Sequence, residues 1–199
     1  MVAAASLELS PESDEQRMLL RVTWKEYVLL RDVLDGPTPR MTYRKGVLEL
    51  MSPSRTHEMW KTNIARLVEH YAWARDVDLR GYGSTTFRQE AADRGCEPDE
   101  CYVVGKSLGE VPDIVLEVIH TNPLLDKLDV YAKLGVPEVW IFKSGAFGVY
   151  ALDVEARVYR AVPESVHLPD LDLALIARYV TREDLPQALR ELDAALRAG

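Results

Sequence analysis

Residues 114–119, Ile-Val-Leu-Glu-Val-Ile, constrain this chain more than any other stretch. A β-branched apolar run of this length reads as a strand buried on both faces at the centre of a sheet. Yet Glu117 stands inside it. An ionised carboxylate in such a place costs several kcal/mol unless it is paired or bound to a metal. Any fold of this chain must therefore bring a compensating group to Glu117.

The surrounding pattern supplies the rest of an α/β (α+β) domain. Met18–Val22 reads as a short strand, and Thr23 as the N-cap of an amphipathic helix carrying Trp24, Tyr27, Leu30, Val33 and Leu34, stopped by Asp35-Gly36-Pro37. Met41–Tyr43 and Val47–Met51 flank Arg44-Lys45-Gly46 as a hairpin. From His57 to about Ala74, the residues Trp60, Ile64, Leu67, Val68 and Tyr71 recur at helical spacing. Thr85–Arg88 and Cys101–Val104 read as strands around a polar loop, Glu90–Gly95. Asn122-Pro123 has the form of an N-cap followed by a first-turn proline, opening a helix that runs to Gly135. Val139–Phe142 follows as a second buried strand, so that strand, helix and strand form a crossover between parallel neighbours. A hairpin over Gly148–Leu152 and Arg157–Val162, with Val149-Tyr150 near an edge strand, and a helix over Arg182–Arg197 complete the pattern. Residues 1–17 are expected to form a flexible N-terminal arm and residues 18–199 a single domain, a fit for a chain of 199 residues.

Asp99 opens the strand before Glu117, after Pro98, and points across a sheet end at a neighbouring strand. Two carboxylates about 4 Å apart repel by roughly 4 kcal/mol at an effective dielectric of 20, enough to demand a cation or a shared proton. Hard oxygen ligands favour magnesium or manganese. A lysine beside such a site can orient or deprotonate water and offset charge in a phosphoryl transition state, and Lys127 borders the apolar stripe of the following helix. Asp113 also follows a proline and alternates onto the Glu117 face, so it competes with Asp99. His57 and His120 are read as structural, Gln89 as a weak substrate or loop contact, and Trp60 and Tyr71 as core. Tyr131 is read as core with its hydroxyl near the site or solvent.

The stretches ELMSPSRTHE, GSTTFRQ, GCEPDECYVV, VPDIVLEVI and DKLDVYAKLGVPEVWIF resemble the Uma-two family of restriction-endonuclease-like bacterial proteins, within the PD-(D/E)XK superfamily, over about residues 18–152. The resemblance implies a four-stranded mixed central sheet flanked by helices, and metal-dependent hydrolysis of nucleic-acid phosphodiesters. It matches Asp99 to the PD acid, Glu117 to the (D/E)XK acid and Glu58 to a helix-borne glutamate that joins the metal through water. The lysine two residues after Glu117 is absent, Ile119 standing there, and Lys127 takes the place of a migrated lysine.

The expected function is therefore a Mg2+- or Mn2+-dependent endonuclease on DNA, with Glu58, Asp99, Glu117 and Lys127 catalytic. Arg55, Lys61 and Arg88 are the basic residues expected beside the cleft. The alternative is a catalytically weak nuclease fold acting as a homodimeric binding or assembly module, since a net charge of -8 argues against wide phosphate contact. A homodimer is also expected of a small nuclease that cuts both strands. No apolar run approaches the length of a membrane span, the first residues lack a signal-peptide pattern, and a cytoplasmic setting follows by default. Cys96 and Cys101 fit no metal or redox spacing and are read as reduced.

Overall fold

The computed structural model describes residues 6–9, 15–34, 36, 38–105, 107, 109–120, 123 and 125–198, with the backbone alone for 6–9. The chain forms two six-stranded sheets. The first, all antiparallel, runs β1 (Ser6–Leu9), β2 (Gln16–Arg21), β4 (Val47–Ser52), β3 (Arg40–Arg44), β7 (Arg94–Cys96) and β6 (Phe87–Gln89). The second is mixed and runs β12 (Val158–Val162), β11 (Ala146–Asp153), β10 (Glu138–Lys143), β9 (Ile114–Ile119), β8 (Glu100–Val104) and β5 (Leu79–Gly81). Its parallel pair is β9 with β10, joined through α3 (Lys127–Leu134), as the strand–helix–strand pattern requires.

Helix α1 (Trp24–Val33) starts at Thr23, whose side chain accepts from the Glu26 N–H while the Glu26 carboxylate accepts from the Thr23 N–H. It covers one face of the first sheet, where Tyr27 stacks on Tyr43 at 4.8 Å between ring centroids. This contact needs Gly95, because a Cβ there would lie 2.2 Å from the Tyr27 hydroxyl. The β3–β4 turn places both Lys45 and Gly46 at positive φ, the backbone of a tight hairpin turn.

Helix α2 (Arg55–Ala74) buries Ile64, Leu67, Val68 and Tyr71 against one face of the second sheet, with α4 (Leu173–Val180) and α5 (Leu185–Ala198) beside it. Each such side chain, fully buried, contributes about 1.5–3 kcal/mol. The other face of that sheet packs Cys101, Val115 and Val139 on Val130 and Tyr131 of α3. Helix α3 also reaches the first sheet, since Asp129 accepts from Arg44 (2.7 Å) and Arg94 (2.8 Å). The helix that follows Glu117 is thus held between the two sheets.

Several expectations shift. Within residues 1–17, β1 pairs with β2, and β2 opens at Gln16. The mixed four-stranded core, β11, β10, β9 and β8, is extended by β12 and β5 to six strands. The loop expected over residues 90–95 contains a single turn of 3-10 helix (Glu90–Ala92) and the start of β7. Helix α3 starts at Lys127 with Asp126 as its N-cap; Asn122, Asp35 and Pro37 lie outside the described residues, and Pro123 precedes the helix. Val149 and Tyr150 lie on β11 and pair with the edge strand β12, in keeping with their expected place near an edge strand.

Candidate active site

The β8–β9 register pairs Glu100 with Leu116, and one further step sets Asp99 opposite Glu117. Opposed residues of an antiparallel pair share a face, so the two carboxylates converge. Both are buried. Their face of the sheet looks toward α3, and Lys127, the first residue of that helix, donates from Nζ to Glu117 Oε2 at 2.6 Å. A cation in the first turn opposes the helix dipole by about 0.3–1 kcal/mol, so the buried acids, not the helix, account for a lysine there.

Glu117 Oε1 accepts from the Tyr131 hydroxyl, one turn further along α3. The Tyr131 oxygen in turn accepts from Cys96 Sγ at 3.2 Å, and Cys96 Sγ lies 3.5 Å from Thr42 Oγ1. Burial pushes the Cys96 thiol up to about 11, which keeps it a donor. Burial likewise raises Glu117, against the opposing pull of the Lys127 ammonium. For Lys127 burial acts downward, but Glu117, Cys96 and Asp99 outweigh it and hold the amine above its ordinary value. Lys127 is therefore an ammonium at neutral pH.

Asp99 is held differently. Its Oδ2 accepts from the Val118 N–H (2.8 Å), and its Oδ1 meets His57 Nε2 (2.9 Å). Burial would raise this carboxyl, yet the His57 hydrogen bond, the charges of His57 and Lys127 and the Val118 N–H hold it well below the usual carboxylate range. His57 sits on the first turn of α2, which the Ser54 side chain caps by accepting from the His57 N–H. Its other nitrogen, Nδ1, lies 3.3 Å from Glu15 Oε2, close in distance though not aligned as a hydrogen bond. Burial depresses the imidazole, but contact with Asp99 and Glu15 more than offsets this and raises it to about 9. It too is a cation at neutral pH.

Behind His57 lies a second buried layer. Glu15 Oε1 accepts from Arg17 (Nη2 at 2.8 Å, Nε at 3.0 Å), Arg17 Nη1 donates to Glu49 Oε1, and Glu49 Oε2 accepts from the Leu125 N–H at 2.8 Å. Arg17 and Glu49 meet diagonally across β2 and β4, where Arg17 opposes Met51 and Leu19 opposes Glu49.

Of the expected site residues, the structure brings Asp99, Glu117 and Lys127 together. Glu58 is half exposed and pairs with Arg40 (3.5 Å) and Lys61 (3.8 Å); Arg40 also reaches the Pro98 carbonyl at 3.5 Å. Asp113 lies four residues up β9 from Glu117, about 13 Å away at strand rise. Its Oδ2 accepts from the Val104 N–H, a sheet-end role rather than one at the acid pair. His120 packs on Trp60, and Gln89 is exposed at the end of β6. Arg55 is exposed at the start of α2, whereas Arg88 pairs with Asp32 at 3.3 Å. His57, read from the sequence as structural, is the hydrogen-bond partner of Asp99, whereas sequence reasoning did not single out Glu15, Arg17 or Glu49. Only Glu49 carried a signal, a carboxylate amid the apolar residues of Val47–Met51.

Two cross-strand carboxylates suit a hard divalent ion of the magnesium type, which binds through one or two carboxylates and keeps water and phosphate as further ligands. Each of their four oxygens accepts one bond from the protein, leaving each with a further lone pair. Among the described residues, no group of three or more His, Cys, Asp or Glu side chains forms a ligand set. A groove of about 710 Å3 between β11, β12 and α4 lies on the opposite face of the sheet and is lined mainly by apolar and small residues.

A family model described as putative restriction endonuclease, Uma2, matches residues 24–177. Among solved structures, the crystal structure of a putative nuclease belonging to DUF820 from Anabaena variabilis is similar in fold. Its TM-score is 0.52 at 15% identity, over 80% of this chain and 98% of that one. No curated protein matches the chain.

Proposed function

Because the chain belongs to the Uma2 family of restriction-endonuclease-like proteins, we propose that it is a metal-dependent nuclease hydrolysing phosphodiester bonds of DNA. The observation that carries this reading is the buried pair Asp99 and Glu117 on one sheet face with the Lys127 ammonium against it. Asp99 and Glu117 would hold Mg2+ or Mn2+, with Glu58 joining through water. Such an ion, when bound, polarises the phosphoryl oxygen and acidifies water. Lys127, already protonated, serves as a donor and a positive charge against the transition state, not as a base. His57 and Tyr131 hold the two carboxylates in fixed rotamers. Arg40 and Lys61, near Glu100 and Glu58, are the cations best placed to meet a phosphate beside Asp99.

The engagement of all four carboxylate oxygens by protein donors favours a second reading, a catalytically weak fold that serves as a homodimeric binding module. Manganese titration and plasmid nicking separate the two. The nuclease reading expects Mn2+ binding that Asp99→Asn abolishes, and nicking of supercoiled DNA only with Mg2+ or Mn2+. Unaltered nicking by Glu117→Gln defeats it. A dimer without metal binding or nicking supports the module.

A further inference from the structure

The mechanism uses Asp99 and Lys127 but does not say what keeps them in register. They belong to different segments, one at the start of β8 and the other at the start of α3. A single side chain connects the supports of both. Arg17 donates through Nε and Nη2 to Glu15, whose other oxygen faces His57, which in turn meets Asp99. Through Nη1 the same guanidinium donates to Glu49, whose other oxygen accepts the Leu125 N–H, two residues before Lys127. These side chains are almost wholly buried: Arg17 is 7% exposed, Glu15 0%, Glu49 2% and His57 0%.

We propose that Arg17 is a positioning residue that fixes Asp99 and the Lys127 segment relative to each other through its two glutamates. The proposal rests on reading Asp99 and Lys127 as the catalytic acid and ammonium. A guanidinium suits the task because its planar fork reaches two carboxylates in set directions, which a lysine ammonium does not. Arg17 and Glu15 precede residue 24, where the family match begins, so this support is supplied by a strand outside the matched span. Strand β2 is then part of the catalytic centre as well as of the sheet.

The experiment uses the full chain and reads both ends of the connection. Backbone amides report on them directly, because the Val118 N–H donates to Asp99 and the Leu125 N–H donates to Glu49. Arg17→Met alone removes the guanidinium between two buried glutamates and can unfold the chain. Arg17→Met is therefore also made together with Glu15→Gln and Glu49→Gln, which removes the charges while keeping the shapes. In that variant, the Val118 and Leu125 amides are expected to exchange about tenfold faster without metal, while amides of β10 keep their rates. Arg17→Lys should fall between that variant and the wild type. With Mg2+, the nicking kcat of the triple variant should drop about a hundredfold, the scale of a small misplacement, with KM changed by less than about twofold. Unchanged exchange at Val118 and Leu125, or an equal rise at every amide, overturns the positioning role. A wild-type chain that does not nick DNA defeats the nuclease reading alone, and the exchange rates still decide the role of Arg17.

Discussion

At Glu117 the chain resolves a conflict between a greasy strand and a negative charge by adding an ammonium and a phenol, both from α3. Removing one member of a buried pair leaves the other uncompensated, at about 3–5 kcal/mol. Lys127→Met is therefore expected to lower the urea midpoint strongly, and adding Glu117→Gln to it should recover about 1–3 kcal/mol, seen as a positive coupling in a double-mutant cycle. Tyr131→Phe, which removes the donor to Glu117, should cost about 1–3 kcal/mol by the same measurement. His57 gives a pH signature. Its pKa is raised on folding from 6.5 to about 9, so its stabilisation is complete below pH 6.5 and is lost as pH rises through about 9. Urea melts in a chelator should show stability falling over that window in the wild type, and a flatter profile in His57→Gln. Glu117 was legible in the sequence because its neighbours are so apolar. The partner of His57 and the roles of Glu15 and Arg17 were not, because their meaning comes from residues tens of positions away, as in His57 with Asp99 and Arg17 with Glu49.

Helix α3 shows what an element of eight residues needs in order to be rigid. Too short to be stable alone, it is capped by Asp126 and closed by Gly135 at positive φ, and Asp129 ties it to Arg44 and Arg94 of the first sheet. Burial would raise the Asp129 carboxyl, but its hydrogen bonds to Arg44 and Arg94 hold it below its ordinary value. Its contribution is present above pH 3.8 and is lost as pH falls through the lowered value. Asp129→Asn should therefore lower the thermal midpoint at pH 7 and make the acid limb of the stability profile shallower. The long periodic helices and the central strands were readable from pattern. Strands β5 and β7, three residues each, are too short to show a period, and Leu173–Val180 spans barely two turns, so none of the three signalled its structure. The start of α3 was misplaced because Asn122-Pro123 mimics a helix entry, while the working cap is Asp126.

Across the whole molecule the net charge is -8, and many basic side chains are already matched to acids: Arg88 to Asp32, Arg44 and Arg94 to Asp129, Arg160 to Asp153. A duplex can therefore be met through few phosphates. A plot of log affinity against log salt should have a slope no steeper than about -3, at roughly 0.9 per phosphate neutralised. Fluorescence anisotropy with a labelled duplex measures it, and a slope near -8 would instead show contact through a broad basic face. The parallel pairing of β9 with β10 has a consequence for synthesis, since it makes α3 the crossover and sets Lys127 ten residues after Glu117. On the ribosome the chain grows from its N-terminus, so Arg17 and His57 have been made before Asp99 appears. Glu117 emerges only a short length of peptide ahead of its own ammonium. No acid of this centre waits long in the nascent chain for the charge that lets it be buried.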